Sequence, residues 1–216
     1  MRQIRSDSLL ESALIRGSAL LTTAAQPTRR PAPTRAEGEM TSAPPPVADA
    51  RLHSAGLMRI NHAGEVAAQA LYHGQSLTAR NAATRQHMLS AAMEEKDHLA
   101  WCRTRLEELG ARPSRLQAFW YGGSFAIGVV AGLTGDGWSL GFVNETERQV
   151  AEHLDEHIAQ LSDSDPRSTT ILEQMREDEQ RHGEEALLAG GRTLPAPIRR
   201  LMRRAAGVMK RVAYHI

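Results

Sequence analysis

Two tetrads constrain this chain more than any other feature: Glu95-Lys96-Asp97-His98 and Glu179-Gln180-Arg181-His182. On an α-helix, residues three apart lie one above the other, so each tetrad aims a carboxylate and an imidazole at a common point. A single acid precedes each tetrad, Glu65 before the first and Glu147 before the second, giving the order Glu, Glu-x-x-His, Glu, Glu-x-x-His. Several carboxylates converging in a helical core would repel one another and protonate unless cations held them together. A donor set of four carboxylates and two imidazoles suits a pair of iron or manganese ions better than a lone zinc. Either tetrad alone arises easily by chance on a surface helix. The two together, in order and with two further acids, predict a metal centre built from Glu65, Glu95, His98, Glu147, Glu179 and His182.

The apolar periodicity puts these residues on inward faces. From Leu57 to about Arg80 an Ala-rich helix is expected, with Met58, Glu65, Ala68 and Tyr72 on one stripe. A second helix, about Thr84 to Leu109, aligns Met88, Ala91, Glu95, His98, Cys102 and Leu106 and stops at Gly110. A third, from near Trp138 to Leu161, extends Glu147 into Val150, Ala151, Leu154 and Ile158, whereas Glu145 falls among Arg148, Gln149 and Glu152. A fourth, about Ser168 to Leu188, aligns Ile171, Leu172, Met175, Glu179, His182 and Ala186 and ends at Gly190-Gly191. Glu65 and Glu95 are 30 residues apart and Glu147 and Glu179 are 32 apart, each enough for a helical hairpin, but 49 residues separate His98 from Glu147. The expected fold is all-α: a ferritin-like four-helix bundle of two hairpins joined by a long crossover.

Other candidates have ordinary explanations. His62 lies three residues before Glu65 near the expected start of its helix, so capping or surface placement is expected. His153 stands beside the Glu147 stripe, either hydrogen-bonding a ligand or simply structural. Tyr72 is expected to pack in the core rather than relay a radical or a proton, and Cys102 to pack as a buried thiol.

Composition narrows what lies outside the bundle. The crossover from Leu116 to Gly135 has no charged residue, holds Phe119, Trp120, Tyr121 and Phe125, and is just long enough to span a bilayer. Seven glycines between Gly122 and Gly141, with small residues recurring at Ser124, Gly128 and Gly132, favour instead an interfacial or bundle-covering helix that approaches a neighbour closely. The tail from Pro195 to Ile216 carries Ile198, Leu201, Met202, Ala205, Val208, Met209 and Val212 on one face. Six cations and no acid accompany them, as in a helix lying on an anionic membrane surface. Residues 1–50 read as separable, flexible sequence: Ser8 to Leu21 has the pattern of a short amphipathic helix or a transit peptide, and the Pro-rich stretch from Gln26 to Val47 is a linker. A net charge of +1 and the lack of a recognition module argue against nucleic acid, and one cysteine excludes an internal disulfide.

The boxes Leu57-Met58-Arg59-Ile60-Asn61-His62-Ala63-Gly64-Glu65, Glu94-Glu95-Lys96-Asp97-His98-Leu99, Trp138-Ser139-Leu140-Gly141-Phe142-Val143 leading into Glu145-Thr146-Glu147, and Asp178-Glu179-Gln180-Arg181-His182 together resemble the demethoxyubiquinone hydroxylases of ubiquinone biosynthesis. The resemblance runs from about residue 55 to the C-terminus. It implies a ferritin-like domain over 55–216 with two irons per chain. Glu65, Glu95 and His98 would serve one iron, Glu147, Glu179 and His182 the other, and Glu95 and Glu179 would bridge. No catalytic residue beyond these ligands is implied. The implied reaction is hydroxylation of a polyprenyl benzoquinol by O2 as co-substrate, with electrons from NADH. Peripheral attachment follows, on the cytoplasmic face of a bacterial inner membrane or on the mitochondrial inner membrane, with accessory proteins of ubiquinone biosynthesis as possible partners. Where some members have a Tyr after the histidine matching His153, this chain has Leu154, so no role of that Tyr carries over. Two rivals share the tetrads: a quinol-consuming alternative oxidase and an iron store, the latter disfavoured by the crossover and tail.

Overall fold

The computed structural model describes residues 30–34 and 48–216; the Ser8–Leu21 stretch and most of the Pro-rich segment lie outside the described residues. Six helices and no strand are found among the described residues: α1 (Ala48–Thr78), α2 (Ala82–Glu108), α3 (Gln117–Leu133), α4 (Asp136–Leu161), α5 (Pro166–Leu188) and α6 (Ala196–His215). Helices α1 and α2 form one hairpin and α4 and α5 the other, and together they make a ferritin-like bundle.

The expected first helix starts too late. Helix α1 begins at Ala48, nine residues before Leu57, and its first turns are tied down by tertiary partners before Ala55 enters the core. Arg51 donates from Nε to the Leu109 carbonyl at the end of α2 (2.8 Å), and His53 Nδ1 meets the Tyr214 hydroxyl of α6 (2.9 Å). The start of α5 is set by sequence chemistry. Pro166 occupies the first turn, where its missing N–H costs nothing, and Asp165 caps the helix by accepting from the Ser168 amide (3.0 Å). Arg105 of α2 joins the same carboxylate (2.8 Å), tying the two hairpins together at this end.

The core is layered. One apolar cluster contains Met58, Trp101, Leu106, Leu154, Leu161, Ile171 and Met175; the other contains Tyr72, Met88, Ala92, Leu140, Val143 and Ala186. On every one of the four bundle helices, the predicted ligand falls between the residues given to the first cluster and those given to the second. The buried polar layer is therefore walled by hydrocarbon at both ends.

Helix α3 packs along α1, and glycine makes this possible. A Cβ added to Gly128 would collide with the Leu71 carbonyl of α1, and one added to Gly74 with the Phe125 carbonyl of α3. The two backbones thus approach with glycine on both sides. The opposite side of α3 leaves Phe119, Ile127, Val130 and Leu133 exposed, and α6 likewise exposes Leu201 and Val208, with only Ala213 of α6 buried. No helix among the described residues is long and apolar enough to cross a membrane.

Replacing Gly128 by Val should push α3 away from α1 and lower the unfolding free energy by about 1–3 kcal/mol, the usual cost of overpacking. A urea titration checks this, with Gly122→Val, whose Cβ would meet open space, as the control.

Candidate metal centre

Glu65 of α1, Glu95 and His98 of α2, and Glu179 of α5 bring one ligand atom each to within 4.8 Å of one another, all buried. His98 Nδ1 faces Glu95 Oε2 at 3.1 Å, Glu179 Oε1 at 3.0 Å and Glu65 Oε2 at 3.9 Å. The second tetrad closes on the same point: His182 Nδ1 lies 3.3 Å from Glu179 Oε2 and 3.6 Å from Glu95 Oε1. Glu147 of α4 is fully buried against Glu179. All six predicted residues are therefore brought together, with Glu95 and Glu179 each reaching both imidazoles. Glu145 turns away to Arg148 and Gln149, at 2.7 and 2.6 Å.

The outer nitrogen of each imidazole is held by a carboxylate from the opposite tetrad's helix. His98 Nε2 donates to Asp178 Oδ2 (3.0 Å), and His182 Nε2 donates to Glu94 Oε2 (3.1 Å). With Nε2–H engaged outward, Nδ1 of each ring points into the cluster, the arrangement that would offer its lone pair to a cation once the proton on Nδ1 is displaced. The pattern is reciprocal, because Asp178 immediately precedes Glu179 and Glu94 immediately precedes Glu95. Periodicity alone did not single out Asp178 and Glu94; the acid doublets Glu94-Glu95 and Asp178-Glu179, at the same offset from each histidine, are the signal that identifies them. Each outer acid is itself paired with an arginine, Asp178 with Arg30 (2.7 Å) and Glu94 with Arg181 (2.9 Å).

The electrostatics show what the cluster lacks. Burial, with Glu95 and Glu179 beside it, holds the Glu65 carboxyl well above the usual carboxylate range, and burial next to Glu179 does the same to Glu147. Burial opposes charge on the imidazoles, but the surrounding acids outweigh it. Glu95 and the bond to Asp178 raise His98 well above the ordinary imidazole range, and bonds to Glu179 and Glu94 push His182 up to about 11. Against burial, His182 and His98 keep Glu179 well below the carboxylate range. Both Glu147 oxygens and Glu95 Oε1 are buried without a hydrogen-bond donor. Orphaned carboxylate oxygens, raised carboxyls and inward-facing imidazoles fit a cation site of oxygen and nitrogen donors.

The remaining candidates sort differently. His62 is neither a cap nor on the surface: because α1 starts at Ala48, it sits in mid-helix, 3% exposed, and burial holds it neutral with a pKa of about 4. His153 Nδ1 donates to its own helix at the Gln149 carbonyl (3.2 Å) and its ring lies against His157, which gives it the structural role. Tyr72 packs in the second apolar cluster, and Cys102 Sγ lies 3.8 Å from Met175 Sδ.

Cavities among the described residues flank the bundle. One of about 640 Å³ is apolar, lies among α3, the start of α4 and the start of α6, and is lined by Ile127, Val130, Trp138, Phe142, Leu194 and Ile198. Another, about 500 Å³, is polar, opens between α4 and α5, and reaches Glu179 past Asn144, Glu152 and Gly183.

Fold and site thus define a helical-bundle protein with a buried carboxylate–imidazole centre, and comparison with known proteins makes the class particular. Residues 52–213 match the family described as Ubiquinone biosynthesis protein COQ7, and the chain belongs to that family. It is 63% identical over 169 residues to a 3-demethoxyubiquinol 3-hydroxylase of Cupriavidus taiwanensis, covering 78% of this chain and 82% of the relative. It is 55% identical over 190 residues to the protein of that name from Xanthomonas axonopodis pv. citri, covering 88% and 86%.

The raised groups set the pH dependence of the metal-free protein. A folded pKa above the unfolded one means that the native state holds protons the unfolded chain has lost, so stability falls as pH rises through that window. For His182 the window runs from 6.5 to about 11, at about 1.4 kcal/mol per pH unit for each proton held. Below it the sign reverses, because His62 and His153 at about 4 and His157 at about 3 are kept neutral by burial and lose stability on acidification. Melting temperature should peak near neutral-to-mildly-acid pH and fall toward about pH 9, with Glu147→Gln falling less steeply; a flat alkaline limb would contradict this assignment.

Proposed function

We propose that the chain is a di-iron monooxygenase that hydroxylates the benzoquinol ring of a demethoxyubiquinol with O2, as the names of its relatives suggest. The observation that carries this is the buried cluster with its two inward-facing imidazoles. Glu65, Glu95 and His98 would hold one metal and Glu147, Glu179 and His182 the other, with Glu95 and Glu179 bridging. When bound, a reduced iron pair supplies the O2 activation that no side chain can perform.

Burial and the neighbouring acids hold Glu65, Glu147, His98 and His182 above their ordinary ranges, so the cluster favours added positive charge of the kind bound cations would supply. The chain's own residues do the rest. Asp178 and Glu94 fix the imidazole tautomers, and the apolar layers above and below exclude bulk water from the cluster. The Asn144 amide donates to the Gly183 carbonyl (3.0 Å) beside Glu179, bracing α4 against α5 at the mouth of the polar cavity.

A polyprenyl tail keeps this substrate in a bilayer, so the enzyme must meet it there. The exposed apolar residues of α3 and α6, with the arginines of α6 around them, support peripheral binding to an anionic membrane surface, in bacteria the cytoplasmic face of the inner membrane. The 640 Å³ apolar cavity opens between these two helices and suits part of an isoprenoid chain. Electrons are assigned to NADH, and accessory proteins of ubiquinone biosynthesis are candidate partners.

Deleting the gene should cause the demethoxy precursor to accumulate, as read by quinone extraction and mass spectrometry. Wild type should restore ubiquinone and Glu179→Ala should not; rescue by Glu179→Ala would defeat the proposal. Anaerobic loading of the metal-free protein near pH 7 in weak buffer should release protons as the raised carboxyls and imidazoles give way to metal. Loading without proton release would argue against ligation by these groups.

A further inference from the structure

The two halves of the centre are built alike except at one point. Around His182, the outer acid Glu94 receives its arginine from within the bundle, since Arg181 lies on α5 next to the histidine itself. Around His98, the corresponding partner of Asp178 comes from outside. Arg30 precedes the first bundle helix and the residues 52–213 of the family match, although the 190-residue alignment with the Xanthomonas axonopodis relative runs across it.

Arg30 is held by four kinds of contact. Its guanidinium forks onto Asp178, Nη2 to Oδ2 at 2.7 Å and Nη1 to Oδ1 at 3.3 Å, while Nε reaches Asp97 Oδ2 of α2 at 3.5 Å. The same group lies over the Trp101 ring, 5.1 Å from its centroid, and the Arg30 carbonyl accepts from Trp101 Nε1 at 3.2 Å. Two residues on, Ala32 packs against the apolar core, and the Pro33 carbonyl accepts from Arg167 Nη1. This short strap crosses from α2 to α5 directly outside the acid that holds His98. Asp178 has other donors, Arg181 Nη2 and Gln174 Nε2, both at 3.4 Å, so Arg30 makes its shortest bond from any arginine.

We propose that Arg30 is a positioning residue for the metal centre: by pinning Asp178 it fixes the ring of His98, so that a segment preceding the bundle helices completes one half of the site. The inference rests on the metal-centre reading above. A single partly exposed ion pair contributes little stability, and the strap's consequence is geometric, because an imidazole whose outer partner wanders presents its inner nitrogen less well.

Titration of the full chain with Co²⁺, followed by visible absorption and chelator competition, tests the assignment. Wild type should bind two ions. Arg30→Ala should weaken one of the two steps by about tenfold, the lower end for loss of an outer-shell partner, and alter the visible band of that ion while leaving the other step unchanged. Arg30→Lys should recover only part of the loss, because an ammonium cannot fork onto a carboxylate. Arg176→Ala, which removes an exposed pair with Asp155, should change neither step. The proposal is overturned if Arg30→Ala binds both ions within twofold of wild type with the same spectrum, or if Arg176→Ala weakens binding equally. If wild type itself binds no Co²⁺, the metal-centre reading fails first, and this proposal with it.

Discussion

Like charges buried together are the constraint on which the rest of this structure depends. Glu65, Glu95, Glu147 and Glu179 are each at most 2% exposed and share one small volume. Leaving carboxylates in such a place is costly unless something neutralises them. Burial and neighbouring acids raise the Glu65 and Glu147 carboxyls and both imidazoles above their ordinary ranges, which ties stability to pH. The bundle is therefore strained around its centre in a way that apolar packing must offset, and the two hydrocarbon layers on either side provide that packing. Stability has been given up at one level so that the residues there can bind and react.

The architecture follows from this. Four helices deliver four acids and two imidazoles to one point, and the two-hairpin topology does so with short turns except at the crossover. Helix α3 fills the long connection by lying on α1 through glycine contacts, which leaves its apolar outer side facing away from the bundle. Helix α6 adds a second uncovered apolar face edged with arginine. The chemistry sits in the middle of the bundle and the uncovered surfaces sit outside it, with the apolar cavity lying among α3, α4 and α6.

Much of the site was legible because helical spacing is rigid: two Glu-x-x-His tetrads and two acids on apolar stripes leave little freedom in where their side chains point. Glu147 over Glu145 followed from the ladder to Leu154 and Ile158 alone. What could not be read depended on partners distant in sequence. Residues Ala48 to Gly56 are tied to α2 and α6 through Arg51, His53 and the close packing of Gly56 on Tyr214, partners that their own sequence pattern does not reveal. That missing stretch also misplaced His62, which moved from a helix end to a buried mid-helix position. The bonds from His98 to Asp178 and from His182 to Glu94 join opposite hairpins, although the repeated acid doublet was present in the sequence. Arg30 lies in a Pro-rich stretch whose composition suggested only a linker, and composition does not report a single guanidinium docked between two acids.

The most direct test of the account is to supply the purified, iron-loaded protein with a demethoxyubiquinol, a reductant and heavy-isotope O2, and to locate the label. A monooxygenase at this centre places one labelled oxygen atom in the new ring hydroxyl of the product. Recovery of the label in water alone, with the quinol oxidised and its ring unchanged, would contradict the account and make the protein an oxidase.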